Sequence, residues 1–128
     1  MKRIIGAIVI LAVIFGSSIG INCKLNDNIE KMTAIAAEGR DYAKKYGKTD
    51  PELTEKIVGT WDGMSVFMAA FLPHGELDGI EIGFMNIPDY EEQELTDEYL
   101  ESLNECINRL EHIKASEKVT FKNVFCLA

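Results

Sequence analysis

The feature that most constrains this chain is an unbroken apolar stretch near its start. The eighteen residues from Ile4 to Ile21 carry no charge, and only Ser17 and Ser18 among them have polar side chains. As an α-helix the stretch would be about 27 Å long, close to the roughly 30 Å hydrocarbon core of a bilayer. Its length and composition therefore predict a segment buried in a membrane or in a protein core.

Three interpretations of this stretch stay open. Lys2 and Arg3 precede it, which is typical of a signal anchor that remains in the membrane. A basic start, an apolar region and small residues up to Ser18 or Gly20 are also typical of a cleaved secretory signal. The third interpretation is a buried core helix. We favour the anchor, which predicts a single pass through the cytoplasmic membrane with the N-terminus inside, and secretion after cleavage is the alternative.

The first two interpretations divide the chain in the same way. Residues 1–22 form a membrane anchor or signal segment, and residues 23–128 form an extracytoplasmic domain. The 107 residues after Ile21 contain enough apolar side chains for one modest core.

The charged residues are distributed unevenly along that domain. The chain carries 13 Lys and Arg against 21 Asp and Glu, which argues against nucleic-acid binding because that relies on neutralising phosphates. Residues 22–60 contain seven basic and seven acidic residues, whereas residues 61–128 contain four basic and fourteen acidic ones. Acidic surplus is therefore confined to the second half of the domain.

The first helix of the domain is predicted to continue the apolar stretch. Apolar residues recur at three- and four-residue spacings over residues 24–46, and no turn signal separates them from Ile21. Gly47 is a natural stop. The next helix is announced by residues 49–52, where either Thr49 with Glu52 forms a capping box or Asp50 is the cap before Pro51.

The second and third helices are predicted from apolar spacing and from breakers. The second helix ends at Pro73 and Gly75. Residues 76–87 fit a helix or a strand, and we favour a short helix closed by Pro88 because no second strand is present to pair with it. The buried side chains expected on the second helix are Leu53, Ile57, Trp61, Met64, Met68, Phe71 and Leu72.

The last helix has the clearest start. Thr96 is the predicted cap, and Asp97 and Glu98 in the first turn favour the helix dipole. Val119, Phe121 and Phe125 in the tail are expected to pack over the bundle. The predicted fold is all-α, with an N-terminal transmembrane or signal-anchor helix followed by a small antiparallel bundle of three to four helices. The inner face of the last helix is expected to hold Tyr99, Leu100, Leu103, Cys106, Ile107, Leu110 and Ile113.

Several of these features occur together in one known family. They are the basic-led apolar start, a central helix with Trp61, the run His-x-Glu-Leu-Asp-x-Ile-Glu over residues 74–81, and closing segments at residues 110–114 and 121–124. In these the chain resembles small bacterial, mostly Firmicute, proteins known as domain of unknown function 4363. The resemblance implies a short, membrane-anchored, helical protein and carries over no catalytic residues. The chain departs from that pattern at Gly79, Gly83 and Pro88.

Three cysteines leave the redox state open. Cys106 lies on the predicted inner face and Cys126 follows twenty residues later, so a disulfide between them would contribute roughly 3 kcal/mol. The alternative is that both are buried free thiols, which act as small hydrophobic side chains. Cys23, at the membrane edge, either joins two chains or stays unpaired.

Residue types needed for catalysis are sparse. His74 with Glu76, Asp78 and Glu81 is a candidate metal or general-base cluster, but we favour a polar turn at a helix start as its explanation. Cys106 and His112 fall on different faces of one helix, which excludes a nucleophile pair. The chain has no phosphate-binding loop or nucleophile elbow. We therefore expect neither enzymatic activity nor a cofactor or metal.

The acidic residues before and within the start of the last helix are the best candidate for a partner surface. They lack the spacing of a calcium-binding EF-hand loop, and a solvated helix start is the plainest explanation. A docking face for a basic protein is the functional alternative, because charge complementarity raises association rates. Anionic lipid would be repelled. The residues are Asp89, Glu91, Glu92, Glu94, Asp97, Glu98 and Glu101.

These observations predict a membrane-anchored helical interaction or structural module on the outer side of the cytoplasmic membrane. It would act by contact with an unknown protein partner, for which a basic protein is the candidate. The alternative is a secreted domain that binds a small ligand in a pocket lined by Trp61, Met64, Phe67 and Phe71.

Overall fold

Four helices make up the part of the chain that the structure describes, residues 1–117 of a computed structural model. They are α1 (Lys2–Tyr46), α2 (Pro51–Phe71), α3 (His74–Glu92) and α4 (Thr96–Glu117). Residues 1–117 contain no strand, and consecutive helices run antiparallel around one core. The predicted all-α fold is confirmed, whereas the predicted packing of Val119, Phe121 and Phe125 falls outside the described residues.

Helix α1 is continuous from the apolar stretch into the bundle. Its first part is exposed on all sides, and its second part buries a stripe that includes Leu25, Ile29 and Met32. It ends at Gly47, whose φ of 67° lies in the left-handed region and whose N–H donates to the Ala43 carbonyl at 2.9 Å. The expectation of one long helix stopped by Gly47 is therefore confirmed.

The apolar part of α1 is long enough and apolar enough to cross a membrane. Its most apolar window of eighteen residues has a mean hydropathy of 2.6 and no buried residue. The stretch therefore does not serve as a core helix of this bundle. By length and composition a retained anchor and a signal sequence pass the same test.

Helix α2 begins with Asp50 as its cap and Pro51 in the first turn. The Asp50 carboxylate accepts from the Glu52 N–H at 3.0 Å, so the second of the two predicted caps is the one that forms. Phe71 was expected to be buried, and this is wrong because its side chain is 46% exposed. Leu72, which follows the helix with an extended backbone, is 5% exposed and belongs to the core.

Helix α3 corrects the prediction that Pro88 ends it. Residues 76–87 are helical as favoured, but the helix continues through Pro88 to Glu92. Proline has no N–H, so it removes one backbone hydrogen bond, and packing of the flanking Ile87 and Tyr90 on the core holds the helix together across it. Residues 89–92, which follow the predicted end at Pro88, therefore belong to the last turn of α3.

A tight turn joins α3 to α4. Glu94 has a φ of 58°, and the Leu95 N–H donates to the Tyr90 carbonyl at 2.8 Å while the Glu94 N–H donates to the Glu91 carbonyl at 3.1 Å. This is the Schellman arrangement that closes many helices. Helix α4 begins at Thr96 itself, so the predicted cap is the first helical residue.

The core runs the length of the bundle. Trp61 of α2 packs against Phe84 of α3 with ring centroids 5.4 Å apart, and both are fully buried. On α4 the predicted inner face is confirmed, with Leu100 half-buried at its edge. We call the end of the bundle where α1 leaves the apolar stretch the proximal end. The distal end is the one where α1 is followed by α2 and α3 is followed by α4.

Candidate functional site

The seven acidic residues predicted as a partner surface gather at the distal end around the α3–α4 turn. We call them the acidic face: six of them are exposed and Glu91 is half-buried. Their positions follow from the correction at Pro88, which places the first three on the last turn of α3, and from α4 starting at Thr96. They are Asp89, Glu91, Glu92, Glu94, Asp97, Glu98 and Glu101.

Glu91 anchors the acidic face to the core. Its Oε2 accepts from the Thr54 hydroxyl at 2.5 Å, and the Tyr99 hydroxyl lies 2.7 Å from the same Thr54 oxygen. Because Thr54 has one proton and gives it to the carboxylate, Tyr99 is left to donate to Thr54. Burial raises the pKa of Tyr99, the bond to Thr54 opposes that rise, and the charges of Glu91 and Asp50 add to it.

Basic residues lie at the same end but on the other side. Lys44 and Lys45 are in the last turn of α1, and Lys48 follows in the α1–α2 connection. Exposed Asp41, Glu52 and Glu55 lie among these lysines, so the α1–α2 side carries charges of both signs. The acidic surplus of the distal end therefore lies on the α3–α4 side, where it would attract a basic partner.

An open groove extends from the acidic face between α3 and α4. It has a volume of about 390 Å³ and is lined by Gly79, Gly83, Ser102 and several carboxylates, among them Glu98 and Glu101. Arg109 lies in it and pairs with Glu105 at 3.1 Å, so one guanidinium stands among carboxylates. The groove can bind polar or cationic groups, and its lining contains no nucleophile paired with a base.

Of the two alternatives for Cys106, the structure shows the buried free thiol, and the disulfide with Cys126 is wrong. Cys106 is a buried free thiol whose Sγ donates to the Ile80 carbonyl at 3.5 Å, and burial raises its pKa to about 12. Gly83 leaves the space that the sulfur occupies. Cys23 is disulfide-bonded, so the alternative that it stays unpaired is wrong. Cys126 lies outside the described residues.

The candidate metal cluster at the start of α3 does not gather its ligands. In the part of the chain that the structure describes, no three His, Cys, Asp or Glu side chains come together as a metal site. Glu76 instead lies 3.8 Å from His112 Nε2 of α4. His74 occupies the first position of α3 and is exposed.

The pocket proposed for a secreted ligand-binding domain is not assembled either. Trp61 is 1% exposed and belongs to the core, while Phe71 is exposed at the end of α2. Met64 and Phe67 do line a shallow groove, but with Lys24, Lys31 and polar or glycine residues of α1 and α2. The four side chains therefore do not line one site.

The sequence interpretation missed a surface at the proximal end. The end of α2 and its connection to α3, together called the proximal tip (residues 66–73), expose Val66 and Phe71 near the end of the apolar stretch. The signal was present in the chain, because the eleven residues between Asp62 and His74 carry no charge. Helical spacing predicts Phe71 in the core because spacing alone does not distinguish an apolar helix end that faces the core from one that faces outward.

Comparison with known proteins gives a family and no function. No curated protein and no solved structure matches the chain. One family model, described as domain of unknown function (DUF4363), matches residues 20–124. That match covers all of α2, α3 and α4 and begins where the apolar stretch ends. The chain belongs to the family of the domain of unknown function DUF4363.

Proposed function

We propose that this protein is a membrane-anchored, non-catalytic interaction module, held in the cytoplasmic membrane by Ile4–Ile21 with its helical bundle on the outer side. The observation that carries this proposal is the continuity of α1. One helix contains both the exposed apolar stretch and the core stripe that starts at Leu25. Exposed apolar surface of that size is costly in water, and a bilayer removes the cost.

The acidic face is the surface we propose for a protein partner, of basic character. From Ile21 to Tyr46 the helix rises about 37 Å, so the face stands well above the membrane surface. At that height it is far from anionic lipid, which would repel it. Charge complementarity there accelerates encounter with a basic protein and is weakened by salt.

A contact function suits the chemistry of the side chains better than catalysis does. The thiol of Cys106 is buried and stays protonated at neutral pH. His112 Nε2 lies 3.8 Å from the Glu76 carboxylate on an exposed surface. The surplus of acidic residues also argues against a nucleic-acid partner.

Fractionation of cells that express the full chain tests the anchor. We expect the intact chain in the membrane pellet after a high-salt and alkaline wash, and we expect protease added to spheroplasts to digest the bundle. A chain released into the medium and shortened by about 20 residues would overturn the anchor and support the secreted alternative. Protection of the bundle from external protease would overturn the orientation.

Cross-linked co-purification from intact membranes tests the acidic face. In one variant Glu92, Glu94, Asp97 and Glu98 become Gln or Asn, and in the control Glu38, Asp41, Glu52 and Glu55 are neutralised in the same way. All eight side chains are exposed, so the variants lose equal charge at different places. We expect only the first variant to lose its cross-linked protein, and equal losses in both would contradict the proposal.

A further inference from the structure

We propose that the proximal tip lies in the headgroup region of the same membrane, as a second contact between the bundle and lipid. The inference rests on the proposed anchoring by Ile4–Ile21 and adds to it a lipid-binding surface built from α2 and the start of α3. The occupant we assign is the lipid surface that surrounds α1.

The first support is height along the anchor helix. Lys24 Nζ lies 4.3 Å from the centre of the Phe67 ring, and the Asn28 amide contacts Met68 Sδ at 4.0 Å. These contacts place Phe67 of α2 at the level of Lys24 on α1. Helix α2 runs antiparallel to α1, so its next turn descends toward the apolar stretch. Phe71 therefore reaches the level of Ile21, where the hydrocarbon core of the bilayer ends.

The second support is the chemistry of the tip. Val66 is 81% exposed and Phe71 is 46% exposed, and the two rings of Phe67 and Phe71 pack together with centroids 5.0 Å apart. No charged side chain occurs between Asp62 and His74. An exposed, uncharged, aromatic-bearing helix end is costly in water and is the composition that settles at a bilayer interface.

The third support is the charge around the tip. Lys24 and Lys31 line a shallow groove above it, together with Asn28 and Thr60, and these groups suit the phosphates of lipid headgroups. The acidic face is at the opposite end of the bundle. The tip is thus uncharged and has two lysines in the groove above it, while exposed Asp27, Glu30 and Asp62 lie on the same two helices and the acidic face lies at the other end.

A second contact with the bilayer would restrict how the bundle tilts on the membrane. A single helix crossing the interface leaves the bundle free to tilt, whereas a second contact on α2 restricts the tilt and holds the acidic face in a constant direction. The tip then acts as a positioning device for the partner surface.

Depth-dependent quenching in reconstituted vesicles tests the proposal on the full chain. The vesicles contain phosphatidylglycerol and phosphatidylcholine, and the phosphatidylcholine carries bromine on its upper acyl carbons. Single variants Phe71→Trp and Val66→Trp place a reporter on the tip, and Tyr46→Trp is the matched control at the distal end, 55% exposed. The unaltered chain gives the background of its buried Trp61.

We expect bromine to cause the largest loss of fluorescence in Phe71→Trp, a smaller loss in Val66→Trp and no loss beyond background in Tyr46→Trp. Flotation of the same samples reports the anchor separately, and circular dichroism confirms that each variant is folded. A chain that floats with the vesicles but shows no added quenching at either tip position would overturn the lipid contact and leave the anchor intact. A chain that does not float would overturn both.

Emission of Phe71→Trp also distinguishes lipid from another occupant. A blue-shifted emission that bromine does not quench would mean that a second copy of the chain covers the tip, which would overturn the assignment to lipid. A quenched, blue-shifted emission supports it.

Discussion

At the scale of single residues, Cys106 is the most informative position because its chemistry is decided by its surroundings. The thiol is 1% exposed, it contacts the Ile80 carbonyl, and its pKa is raised from 9.0 to about 12. It is therefore a packing group with a weak hydrogen bond, and its reactivity is suppressed by burial.

Burial of Cys106 predicts a loss of stability at high pH. The unfolded thiol loses its proton near pH 9 and the folded one near pH 12, so between these values the unfolded state binds fewer protons and is favoured. The contribution is complete below pH 9 and is lost as pH rises toward 12, by up to about 1.4 kcal/mol per pH unit. Urea unfolding of the chain and of Cys106→Ser checks this, and equal slopes in the two proteins would refute it.

The same position predicts a pattern of alkylation. We expect iodoacetamide to leave Cys106 unmodified in the folded chain and to modify it when the unreduced chain is unfolded, because only the second state exposes the thiolate. Peptide mass spectrometry reads the modified site. Cys23 is expected to resist in both states because it is disulfide-bonded. Rapid labelling of Cys106 in the folded chain would contradict its burial.

Glu94 has a left-handed backbone conformation that a single substitution can test. Its φ of 58° is left-handed, a conformation that glycine adopts without steric cost. We expect Glu94→Gly to stabilise the chain by roughly 0.5–1 kcal/mol, measured by chemical unfolding. The matched control is Glu92→Gly in the last turn of α3, which should lose about 1 kcal/mol because its backbone is helical. Losses in both variants would count against the strained turn.

At the scale of elements, the contact between α3 and α4 depends on two glycines that the sequence presents as weaknesses. A Cβ on Gly83 would collide with the sulfur of Cys106, and one on Gly79 would lie 2.6 Å from the Arg109 guanidinium. The helices approach closely because these positions have no side chain. The cost of glycine in a helix is thereby offset by packing.

This contact predicts opposite outcomes for two glycine substitutions. Gly83→Ala should destabilise the bundle by about 1–3 kcal/mol, because Cys106 is buried and has no room to move. Gly59→Ala on α2 meets nothing within 4 Å and should be neutral or stabilise by roughly 0.5–1 kcal/mol. Thermal unfolding of both variants decides, and equal effects would mean that helix propensity alone controls these sites.

At the scale of the whole molecule, the apolar stretch and the bundle share one helix, and only the end of the stretch reaches the core. The side chains before Ile19 are exposed, Ile19 is half-buried, Ile21 packs against the core, and fully buried positions begin at Leu25. The family match also starts at residue 20. Folding of the bundle is therefore expected to be independent of the apolar stretch.

Removal of residues 1–20 tests that independence. We expect the shortened chain to remain helical and to unfold cooperatively, with a free energy of unfolding within about 0.5 kcal/mol of the full chain in detergent. Circular dichroism during urea unfolding measures this. A loss of cooperativity would show that the stretch contributes to the core after all.

Local patterns in the chain determined most of the fold. Apolar spacing, the cap at Asp50 and the stop at Gly47 act within a few residues, so they predict helices without knowledge of what those helices contact. The acidic face was also predictable residue by residue, because charge is a property of composition. Its position at the distal end was not, since that depends on α3 continuing through Pro88.

Only the tertiary structure decided matters that depend on neighbours distant in the chain. Cys106 is a free thiol buried beside Gly83 of α3, and Phe71 is exposed whereas its neighbour Leu72 is buried. Helical periodicity predicts that a residue lies on an apolar face, but it does not predict which part of the molecule covers that face. The sequence alone thus predicted a helical bundle led by an apolar stretch, while packing decided which apolar residues form the core and which stay exposed.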